Sequence, residues 1–256
     1  MRRLLLLCLA AFLITCGGSD RNAENPEIGD KIDIGDDRPA HHRTSVPGDD
    51  DDDDDDDGLE IEGLRGKLEP YDIQAGIEPH SGALSNCYHK RIRKIRYVGG
   101  KVELKFEVKR DGSVLSVQMI TSSLGAWPIE KCLLETSRRM KFVKPKGGIA
   151  EFTVPLDFTS SRSVRWLGDA RGELEVEESK LELQTCADEA STAQPDAVLV
   201  TLYVANRGVV KSVGFSVKGD TALPDEWADC AEAKAKAWTL TDPRGKITKL
   251  SFVYNP

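Results

Sequence analysis

The sequence predicts an α+β fold, in which one helix-strand-strand-helix-strand module is used twice in tandem after a polar tail. Three observations carry that expectation. Residues 102–119, VELKFEVKRDGSVLSVQM, lie over residues 198–215, VLVTLYVANRGVVKSVGF, as two copies of one pattern. Cysteines recur at nearly equal separation, Cys87 to Cys132 and Cys186 to Cys230. Each copy then passes through a Pro-x-Gly loop into one more alternating run.

The elements follow in order. A first helix is expected at 73–94 and again at 176–191, where Leu84-x-x-Cys87 is answered by Leu183-x-x-Cys186. Next, Val102, Leu104, Phe106 and Val108 match Val198, Val200, Leu202 and Val204. Apolar residues at period two mark a half-buried strand. RDG in one copy and NRG in the other bring Gly112 and Gly208 into register, and a second alternating run completes a hairpin. A second helix is expected at 127–140 and 224–237. Ile129, Cys132, Leu133, Thr136 and Met140 fall on one helical face, and Arg138 and Arg139 suit the negative end of the helix dipole. The last strand follows Pro145-Lys146-Gly147 or Pro243-Arg244-Gly245, with Phe152, Val154 and Leu156 matching Leu250, Phe252 and Tyr254. Two helices would then cover one face of a three-stranded antiparallel sheet.

The chain opens MRRLLLLCLAAFLITCGG. Arg2 and Arg3 precede an apolar run at 4–14 that is too short to span a bilayer and suits a secretory signal. LITC followed by Gly17 and Gly18 resembles a bacterial lipoprotein signal, in which Cys16 is acylated and becomes the new N-terminus; Thr15 departs from the usual Gly or Ala. Residues 17–63 hold 18 acidic and 4 basic side chains, against 10 acidic and 17 basic over 64–158. The aspartate run at 49–57 repels itself and lacks the spaced carboxylates and bending glycine of a calcium loop, so it reads as a solvated tether. His41-His42 in the same tail makes no metal site. The expected divisions are a lipoprotein signal at 1–16, a disordered acidic tether at 17–66, and modules at 67–160 and 161–256.

LSNCYHK, VELKFEVKRDGSVLSVQMITSSLG and IEKCLLETSRRMKFVKPKGGIAEFTVPLDF, taken together, resemble the AgmX/PglI C-terminal domain. That family is a TonB C-terminal-like module common in myxobacterial and related proteins. The resemblance covers 73–158, in the Cys-Tyr pair, the GxV after the hairpin turn, SSLG, the second cysteine and KPKGG. The second copy keeps the cysteines, the hairpin glycine and Pro-x-Gly, but has Ala187 in place of Tyr88 and lacks SSLG, a degenerate TonB-C-like module. The resemblance implies an envelope protein without catalytic residues that docks a partner, often at a strand edge.

Of the six cysteines, Cys8 and Cys16 lie in the signal, so an exported chain would carry Cys87, Cys132, Cys186 and Cys230 into an oxidising compartment. Cys87 with His89 could suggest a metal pair or an activated thiol. Zinc needs about four ligands at short spacings, a nucleophilic thiol needs a base, and the second copy lacks the histidine altogether. The repeat instead pairs Cys87 with Cys132 and Cys186 with Cys230 as disulfides. The basic stretch at Lys90, Arg91, Arg93, Lys94 and Arg96 reads as a solvated helix end, with attraction to anionic envelope surfaces as the functional alternative. No catalytic residue, cofactor, metal, small-molecule substrate or nucleic-acid partner is expected. The expected protein is lipid-anchored in the cell envelope, at the outer rather than the inner membrane, and binds another envelope protein by strand addition. The alternative is a self-associating or peptidoglycan-associated structural lipoprotein.

Overall fold

A computed structural model describes residues 65–219 and 221–256, all within the compact unit Gly58–Pro256. The expected signal with Cys16, the tether up to residue 64, the aspartate run and His41-His42 lie outside the described residues. The first half runs β1 (Arg65–Gly66), α1 (Pro70–Ile77), α2 (Ser81–Ile92), β2 (Gly100–Val108), β3 (Val114–Ser122), α3 (Trp127–Arg138) and β4 (Ile149–Phe158). The second runs β5 (Arg165–Trp166), α4 (Asp169–Val176), α5 (Cys186–Glu189), β6 (Val198–Val204), β7 (Val210–Val217), α6 (Asp225–Ala237) and β8 (Thr248–Tyr254). The architecture is mixed α+β with two four-stranded sheets, ordered β1-β4-β2-β3 and β5-β8-β6-β7.

Each sheet therefore has one strand more than the three expected. β1 and β5 are two-residue strands lying parallel to β4 and β8, too short to show any period in the sequence. The hairpins β2–β3 and β6–β7 form where alternation placed them, with Val102, Leu104, Phe106 and Val108 buried in one and Val198, Val200, Leu202 and Val204 in the other. Phe106 stacks on Phe152 at 5.2 Å and meets Phe142 edge-on, fixing the sheet against the chain that leaves α3.

The first helix of each copy is broken rather than continuous. Pro79, without an N–H to give, falls in a 3-10 turn at Glu78–His80 that separates α1 from α2. In the second copy a 3-10 segment, Ser179–Thr185, stands between α4 and α5. The second helix agrees with expectation to within two residues at either end, because Pro128 and Pro224 hold the N-terminal turns.

Gly208 holds φ at 73°, its N–H bonds to Ala205 O, and its carbonyl receives Leu240 N–H. Gly112 repeats this at φ 83°, with Phe142 N–H on its carbonyl. A Cβ at Gly208 would collide with the carbonyl oxygen of Leu240. Gly208→Ala combines left-handed strain with a backbone clash, and a loss of at least about 2 kcal/mol is expected in urea unfolding.

The two sheets differ in one respect that period two did not announce. Thr201, Tyr203, Ser212, Ser216, Lys249 and Ser251 are buried as well as the apolar face, so the second sheet is covered on both sides. Part of the covering comes from the first half. The loop at Gly125 lies against Thr201 and Tyr203, and its carbonyl receives the Ser212 hydroxyl at 2.6 Å.

Candidate functional site

Cys87 and Cys132 are bonded between α2 and α3, with Cα atoms 5.6 Å apart. Cys186 and Cys230 are bonded between α5 and α6 at the same Cα separation. The four cysteines expected to pair thus do so, while Cys16 is outside the described residues. Among the described residues no cluster of three or more His, Cys, Asp or Glu is placed to hold a metal ion, and no helix is long and apolar enough to cross a membrane.

The LSNCYHK stretch does two things within α2. Cys87 faces the core, while Leu84, Ser85, Tyr88 and His89 line a groove of about 410 Å³ between α2 and the end of β4. Ile77, Leu84, Leu156 and Phe158 supply its apolar wall, and Ser81 and Asp157 stand at its polar margin. Tyr88 donates its hydroxyl toward both Val98 O and Thr159 O at 2.9 Å, and its ring lies 4.9 Å from Phe158. Burial holds the Tyr88 phenol above its ordinary pKa. In the basic stretch that follows, Arg91 donates to Cys87 O, closing the helix end from within, while Lys90, Arg93, Lys94 and Arg96 are exposed.

The groove runs into a strand edge. β4 pairs with β2 from Ala150 to Phe158 but with β1 only at Ile149 and Ala150, so among the described residues its other side carries no strand from residue 151 onward. Pro155 tells which main-chain groups face that side. It stands opposite Glu103 and has no N–H, so its position is one whose main chain points away from β2. The second copy supports this parity. Val253, at the matching place opposite Leu199 in β8, gives its N–H outward to the Glu173 carboxylate at 2.7 Å. By alternation, Glu151, Thr153 and Asp157 also direct their main chain outward.

The two copies treat this edge differently. In the second, α4 lies along β8, with Gly172 against Ser251 O and Glu173 capping Val253. In the first, α1 makes no comparable approach to β4, and the residue that would need a cap is the proline. The charges beside it are modest: Glu151 lies 3.4 Å from Lys105 and 3.9 Å from Arg65.

A second feature lies between the halves. Glu130 of α3 is fully buried; its Oε1 accepts from the Ser122 hydroxyl at 2.6 Å and Gly125 N–H at 3.2 Å, and its Oε2 accepts from Phe215 N–H at 2.8 Å. Phe215 belongs to β7, the edge strand of the second sheet, so a carboxyl of one half caps an edge amide of the other. Gly214 is required there, since a Cβ would collide with the Glu130 carboxyl. Burial pushes the Glu130 carboxyl up to about 7, against the pull of the hydrogen bonds it accepts. In return, Lys249 of β8 donates to Gly99 O of the first half at 3.1 Å and lies over the Tyr203 ring. Desolvation lowers Lys249 to about 8, partly offset by attraction to Glu130. At the rim, Trp127 and Lys131 both donate to Asp229, and Arg138 makes a two-pronged pair with Asp225.

Sequence reasoning passed over Glu130, Lys249 and Pro155. A signal existed for the first: Glu130 shares a helical stripe with Leu133, Leu134 and Ser137, all buried. Compared with known proteins, the chain matches no family model, no curated protein and no solved structure.

Proposed function

We propose that this is a non-enzymatic, lipid-anchored cell-envelope protein whose two TonB-C-like modules bind another envelope protein by strand addition. The observation that carries the reading is the outer edge of β4, unpaired beyond Ala150 among the described residues and continuous with the apolar groove at Tyr88. An extended segment laid on such an edge gains main-chain hydrogen bonds from the ladder and specificity from side chains seated in adjacent pockets. The likeness of residues 73–158 to the AgmX/PglI C-terminal domain supports a docking module, and the two disulfides fit an oxidising compartment outside the cytoplasm. The anchor rests on the lipoprotein-like LITC sequence at Cys16.

Thr153→Pro tests the reading. It deletes an outward N–H and blocks ladder pairing on that side, while leaving the bonds of β4 to β2 in place. The mature wild-type chain is expected to retain a discrete envelope partner in crosslinking and co-purification, and the Thr153→Pro chain to lose it while melting at the wild-type temperature. Pro155→Thr, which adds a donor to the same edge, is expected to retain the partner at least as well. Equal retention by wild type and Thr153→Pro would remove β4 as the docking edge, and a partner-free protein that elutes as a stable oligomer would favour the self-associating alternative.

A further inference from the structure

We propose that Glu130 is the catch of a pH-sensitive latch between the two halves, tight in mildly acidic solution and loosened as pH rises to neutrality. Three geometric facts carry this. The carboxyl is fully buried, it is contributed by one half, and it caps the edge strand of the other through Phe215 N–H. In the opposite direction Lys249 and Tyr203 of the second half reach back to Gly99 O, and Ser212 to Gly125 O.

The charged and titratable groups facing Glu130 are few. β8 presents Lys249 and β6 presents Tyr203, whose phenol burial holds well above its ordinary value. β3 offers only the Ser122 hydroxyl and β7 only main chain, while the Lys131–Asp229 pair is spent at the rim. The hydroxyl of Ser122, the amides of Phe215, Ala126 and Gly125, and one desolvated cation do not offset the loss of water around an ionised carboxyl in this site, so burial raises its pKa to about 7.

The sign follows from linkage. A carboxyl whose pKa is raised on closure contributes its full stability below its exposed value, near 4.5, and loses it as pH climbs to about 7. Within that window each pH unit favours the open arrangement about tenfold, and above it the effect levels off. Lys249 is charged in both arrangements across this range, because its lowered value of about 8 lies above it. The acid-side slope therefore belongs to Glu130. Opening would free the β7 edge at Phe215, a second strand edge that the closed protein covers.

Amide hydrogen exchange on the full chain reads this directly, because exchange at Phe215 reports opening of the latch. After correction for intrinsic exchange, protection of Phe215 is expected to fall about tenfold per pH unit between pH 5 and 7, relative to Leu104 in β2. Glu130→Gln keeps the shape without the charge and is expected to flatten that slope. Lys249→Met is expected to retain the slope and carry it to higher pH, since removing the cation disfavours the ionised carboxyl further. A flat wild-type profile, an unchanged slope in Glu130→Gln, or a slope that moves to lower pH in Lys249→Met would each overturn the latch.

Discussion

A Cys87→Ala/Cys132→Ala chain is expected to unfold in urea at a clearly lower midpoint than wild type, with a stability loss of about 4 kcal/mol. The bond joins α2 to α3 across 45 residues, so in the unfolded chain it removes the freedom of a loop containing the entire β2–β3 hairpin. Chain entropy of that size is what the figure represents. Cys186→Ala/Cys230→Ala removes a closure of 44 residues and is expected to cost a similar amount. Reductant should reproduce both losses in the wild type. Oxidised and reduced wild-type protein unfolding at one midpoint would show that these bonds contribute nothing.

Replacing Phe215 with alanine is expected to cost about 4 kcal/mol, the middle of the range for deleting a buried aromatic ring. The side chain is 1% exposed and stands between two tryptophans, Trp127 of the first half and Trp227 of the second, each with its ring centre 5.8 Å away and edge-on. Its loss opens a cavity that neither indole fills without leaving its other contacts, such as the Trp127 hydrogen bond to Asp229. Because the ring touches both halves, its removal should also broaden the urea transition, as the halves cease to unfold as one. A loss under about 1 kcal/mol, with a transition as sharp as wild type, would mean that Phe215 does not join them.

Much of the architecture was legible in the sequence, and for identifiable reasons. Val102 to Val108 and Val198 to Val204 alternate because each strand buries one face in its own half, and a period of two needs no knowledge of the rest of the fold. Gly112 and Gly208 could be set in register because both turns require a positive φ that few other residues adopt. The cysteine pairing was legible because each half carries one on each helix, and repetition makes any cross-pairing the less economical choice. Other features escaped notice. Two-residue strands such as β1 and β5 are set by neighbours, not by their own pattern. Pro79 cut the first helix where hydrophobic spacing alone ran on.

By itself the sequence determined what depends on local chemistry: strand alternation, helix faces, turn glycines, the repeat, and through the repeat the partners of Cys87 and Cys186. Only the tertiary structure decided what depends on one half meeting the other. Glu130 looks like an ordinary helical glutamate until α3 is laid on β7, and Lys249 looks like a surface lysine until β8 is covered. Likewise Pro155 and Val253 occupy the same place in their strands, yet one edge is open and the other capped, because α4 lies along β8 and α1 does not lie along β4. Burial and edge occupancy are properties of assembled surfaces, and no period along the chain records them.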